Sequence, residues 1–92
     1  MKTSVINKRV LDKLALAIAA ETRLPFSFEI QEDGKFLLVD IEGAADESLG
    51  EKLALLMDEV MPRRLETDTW MVVFTQGGRV VDSYGGGMLA HG

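Results

Sequence analysis

Asp33-Gly34 stands between two short runs of alternating character, Phe26-Ser27-Phe28-Glu29-Ile30-Gln31 and Phe36-Leu37-Leu38-Val39-Asp40-Ile41. The dipeptide tolerates the positive φ angles that a two-residue hairpin turn requires, so here it predicts a β-hairpin. Turning on Asp33 and Gly34 sets Ile30 opposite Leu37, Phe28 opposite Val39 and Phe26 opposite Ile41. That register gathers six apolar side chains on one face, and a slip of one residue would scatter them. The other face carries Ser27, Glu29, Gln31 and Asp40, with Phe36 and Leu38 among them.

Two amphipathic helices flank this hairpin. Ile6, Val10, Leu11, Leu14, Ala17 and Ile18 recur at helical spacing, with Lys8, Arg9, Asp12 and Lys13 opposite. The expected helix runs from Val5 to about Thr22, with Ser4 as its N-cap and Pro25 excluding helical geometry at Leu24. A second apolar stripe, Leu49, Leu53, Leu56, Met57, Val60 and Met61, follows Ser48-Leu49-Gly50-Glu51, which fits a capping box, and stops at Pro62. Thr69 to Thr75 is a β-rich run, and Gly77-Gly78 turns it into a last strand from Arg79 to Tyr84, with Gln76-Gly77 an acceptable alternative turn. Residues 85–92 hold three consecutive glycines and read as a flexible tail. The expected fold is α+β in the order α-β-β-α-β-β: a two-layer sandwich with a four-stranded antiparallel sheet and both helices on one face. Residues 1–84 form its single domain, because 92 residues hold one core only.

Composition narrows the chemistry. The chain has no cysteine, hence no disulfide and no thiolate metal site. A net charge of −5 opposes nucleic acid as a partner. That charge is uneven: the first 13 residues carry four basic side chains against Asp12, and the remaining 79 carry six basic and fourteen acidic ones. Leu14 to Ala20 is too short for a membrane span and makes a poor secretory signal, so no membrane partner and a cytoplasmic location are expected.

Catalytic machinery is sparse. The one histidine, His91, lies in the glycine tail, where nothing holds it near a serine. Asp40, Glu42, Ser48 and Glu51 match four positions of a calcium-loop template, but Ala45 stands where that loop needs glycine. The glycine pairs precede no helix that could offer its N-terminus to a phosphate. Arg63 and Arg64 follow a helix C-terminus, where cations are favoured anyway, and they remain the alternative enzyme reading together with surface carboxylates. No cofactor and no metal are expected.

The surplus of apolar residues is more informative. Leu16 and Leu55 fall on the polar sides of their helices. In the third strand Trp70, Val72 and Phe74 alternate with Met71 and Val73, so whichever set faces the helices, the other joins Phe36 and Leu38 outside. A contiguous apolar face of this kind marks a protein contact. The candidate contact residues are Phe36, Leu38, Met71 and Val73, and the expected partner is a protein, either a second copy or another chain. The expected role is a non-catalytic interaction domain, a small adaptor or a homodimer.

Val10-Leu11-Asp12-Lys13-Leu14, Leu24-Pro25-Phe26-Ser27-Phe28, Asp33-Gly34-Lys35 and Leu37-Leu38-Val39-Asp40 together resemble the opening helix and hairpin of the small acidic type III secretion chaperones. The resemblance covers residues 10–40 and implies a dimer that binds an extended segment of a secreted effector along an apolar surface. Beyond residue 40 that family has a third strand before its second helix, where this chain has only Gly43 to Glu47. No binding residues carry over.

Overall fold

A computed structural model describes residues 6–31, 34–61 and 70–86. The order is α1 (Lys8–Glu21), β1 (Phe26–Gln31), β2 (Phe36–Ile41), α2 (Glu47–Val60), β3 (Trp70–Gln76) and β4 (Arg79–Gly86). This is an α+β fold with two helices and one four-stranded sheet in the order β1-β2-β3-β4.

The first hairpin has the register its turn predicts, from Phe26 opposite Ile41 to Gln31 opposite Phe36, and Gly34 takes a φ of 85°. In the second hairpin Gly77 and Gly78 both have positive φ, at 62° and 78°, with Gln76 and Arg79 paired on either side. That geometry selects the Gly77-Gly78 turn over Gln76-Gly77. A bulge follows: Phe74 pairs with Asp82 but Thr75 with Val80, so Val81 is the extra residue of β4. β4 continues through Gly86, two residues into the stretch read as tail; residues 87–92 lie outside the described residues.

The sheet is mixed, which corrects the antiparallel expectation. β2 and β3 run parallel, with Phe36 beside Met71, Leu38 beside Val73 and Val39 beside Phe74. The reason is the connection. Parallel neighbours need a crossover, usually helical, and α2 is the helix that carries the chain back to start β3 alongside β2.

The core is one cluster. Leu37, Val39 and Ile41 of β2 and Trp70, Val72 and Phe74 of β3 are buried in it with Leu14 and Ile18 of α1 and Leu53, Ala54 and Met57 of α2. Trp70 also stacks on Tyr84 at a ring separation of 5.8 Å, and the Tyr84 hydroxyl donates a hydrogen bond to the Asp58 carboxylate of α2.

Both helix starts differ from expectation. α1 begins at Lys8, capped by Asn7, whose side-chain oxygen accepts from the Val10 N–H at 3.2 Å; Ser4 lies outside the described residues. Ile6, just before the cap, is buried in the core, and such an apolar residue fixes the entry of the chain. For α2 the cap is Asp46, not Ser48: its Oδ1 accepts from the N–H groups of Ser48 and Leu49 at 3.0 and 3.3 Å. A charged acceptor at the positive end of the helix gains from the dipole as well as from its hydrogen bonds.

Candidate functional site

Alternation along the strands divides the sheet into two faces. The inner set contains Leu37, Val39, Ile41, Trp70, Val72 and Phe74, all buried. The outer set is therefore the one with Met71 and Val73, and the parallel register of β2 on β3 makes it contiguous with Phe36 and Leu38.

The outer face is three rows deep. One row crosses the strands as Gln31, Phe36, Met71 and Gly85, and the next as Glu29, Leu38, Val73 and Ser83. The third runs Ser27, Asp40, Thr75 and, beyond the bulge, Val80. Phe36, Leu38 and Val73 are half-buried, while Met71 is 43% and Val80 64% exposed. The four expected contact residues thus form one square of side chains on the two central strands.

The polar members of this face have local partners. Gln31 Nε2 donates to Glu29 Oε2 at 2.6 Å, and Thr75 Oγ1 donates to Asp40 Oδ1 at 2.8 Å. Both donors are neutral, and among the described residues no lysine or arginine occupies any position of the three rows. The described face is apolar at its centre and carries two carboxylates beside it, Glu29 on β1 and Asp40 on β2.

Other sequence candidates are dispersed. Of the calcium-template residues, Asp40 bonds Thr75 on the outer face and Glu51 lies within α2, and the adjacent Asp46 caps that helix. Among the described residues no three of His, Cys, Asp and Glu cluster as a metal site would need. Arg63, Arg64 and His91 lie outside the described residues. Leu16 of α1 and Leu55 of α2 are exposed, at 75% and 64%. No described helix is long and apolar enough to cross a membrane.

Sequence reasoning missed Gln76. It is the one buried polar side chain among the described residues, donating through Nε2 to the Glu42 carbonyl at 3.0 Å and accepting at Oε1 from the Asp46 N–H at 2.9 Å. It fastens the β2–α2 loop to the end of β3, and only its inward parity on that strand could have flagged it. The indole Nε1 of Trp70 is also buried, without a hydrogen-bond partner. Compared with known proteins, the chain matches no family model, no curated protein and no solved structure.

Proposed function

We propose that this chain is a non-catalytic protein-interaction domain whose contact surface is the outer face of its sheet. The observation that carries this reading is the pairing of Phe36 with Met71 and of Leu38 with Val73, which turns two separate apolar pairs into one patch. Scattered exposed apolar residues are normal on a soluble protein, whereas a contiguous patch favours association. The strand sequences agree. Phe36-Leu37-Leu38-Val39 and Trp70-Met71-Val72-Val73-Phe74 are unbroken apolar runs of the kind found in parallel strands covered on both faces.

The test is the double substitution Phe36→Ser with Leu38→Ser. Both side chains lie on the outer face, so the fold should persist by circular dichroism, while self-association in light scattering or capture of a partner chain in a pull-down should disappear. A wild-type chain that is monomeric, captures nothing and is unchanged by the substitution overturns the reading.

A further inference from the structure

The outer face also carries information about what would sit on it. We infer that its occupant is an amphipathic helix of a different chain, apolar along one side and flanked by lysine or arginine. This rests on the interaction reading above and narrows it to one partner chemistry.

The helical form follows from the strands. β2 and β3 carry near-continuous apolar runs, as strands covered by helices on both faces do, and their inner residues share one core cluster with helix residues such as Ile18 and Met57. Four strands at about 4.8 Å spacing make a face roughly 15–19 Å wide, which a helix of about 12 residues crosses at 1.5 Å per residue. The cationic flank follows from charge. Glu29 and Asp40 border the apolar square, each held by a neutral donor, and among the described residues no lysine or arginine occupies the three rows of the face.

The same carboxylates argue against the competing occupants. A second copy docked face to face would bring together two faces that each carry Glu29 and Asp40 and have no lysine or arginine in their described rows, and like charges across an interface are costly. Anionic lipid and nucleic acid meet the same repulsion.

The experiment uses the full chain and two synthetic helix-forming peptides of about 18 residues, long enough to populate helix in water. Both have leucine along one side, and they differ only in bearing lysine or glutamate at the flanks. Fluorescence anisotropy should show the lysine peptide binding about tenfold or more tightly than the glutamate peptide at low salt, with the gap closing as salt rises. Peptide helicity should increase on binding. In the chain, Glu29→Gln with Asp40→Asn should remove the preference and leave weaker, salt-insensitive binding. Phe36→Ser with Leu38→Ser should abolish binding of both peptides; if that variant unfolds, Val73→Thr, which keeps the shape of the side chain, should weaken it.

Equal or tighter binding of the glutamate peptide overturns the inference, as does lysine-peptide binding that survives Phe36→Ser with Leu38→Ser in the folded variant. Self-association of the chain that is lost with the same substitution also overturns it, by making a second copy the occupant, and leaves the interaction reading standing. If neither peptide binds and the chain is monomeric, with no partner captured before or after substitution, both readings fall together.

Discussion

Single residues carry unusual weight where elements meet. Gly50 of α2 faces β4 so closely that a Cβ there would lie 2.8 Å from the Val81 carbonyl oxygen and 2.9 Å from its carbon. In a free helix Gly→Ala gains about 1 kcal/mol. Here the clash is with backbone, so Gly50→Ala should instead lose about 1–3 kcal/mol, as overpacking does, and lower the urea midpoint. A raised midpoint would mean that α2 and β4 can part without cost. Gln76 gives a second test. Gln76→Met should cost about 1–3 kcal/mol by stranding the Asp46 N–H and the Glu42 carbonyl. Gln76→Glu should cost more, because it sets an acceptor against that carbonyl and buries a charge. Equal urea midpoints for the two variants would show that the carboxamide does not fasten the loop. Neither role is legible in the sequence. Gly50 looks like the third residue of a capping box and Gln76 like the polar end of a strand, and what decides both is a neighbour about thirty residues away.

Elements were legible in proportion to how local their signals are. Asp33-Gly34 and Gly77-Gly78 specify their hairpins through backbone preferences that act over four residues, and the registers follow. Helix starts are less local. Ser48 and Asp46 are both competent caps, and the choice falls to Asp46 where Gln76 holds its N–H and so fixes the end of the loop. Asp46→Ala should therefore cost about 1 kcal/mol, whereas Ser48→Ala should stay within about 0.5 kcal/mol. Matching losses in thermal or urea unfolding would reinstate the capping box at Ser48. The strand directions were misjudged because hairpin signals say nothing of how two hairpins join. The available cue was α2 itself, since a strand, a helix and another strand in succession point to a parallel crossover.

At the scale of the whole molecule, the candidate surface was half visible from the sequence. Phe36 and Leu38 stand out as apolar residues on a polar strand face, whereas Met71 and Val73 compete in the sequence with Trp70, Val72 and Phe74, whose burial puts Met71 and Val73 on the outer face. The acidic rim was hidden for a similar reason, because Glu29 and Asp40 come from different strands and border one patch only through the sheet. The seam between β2 and β3 also has a consequence in time. Each hairpin closes on short-range contacts, whereas the seam joins residues about 35 positions apart and must wait for the crossover to fold. Phe36 and Leu38 lie on one side of that seam, Met71 and Val73 on the other. A nascent or clipped chain holding a single hairpin displays two of the four and no continuous patch, so the patch is a surface that only the finished fold presents.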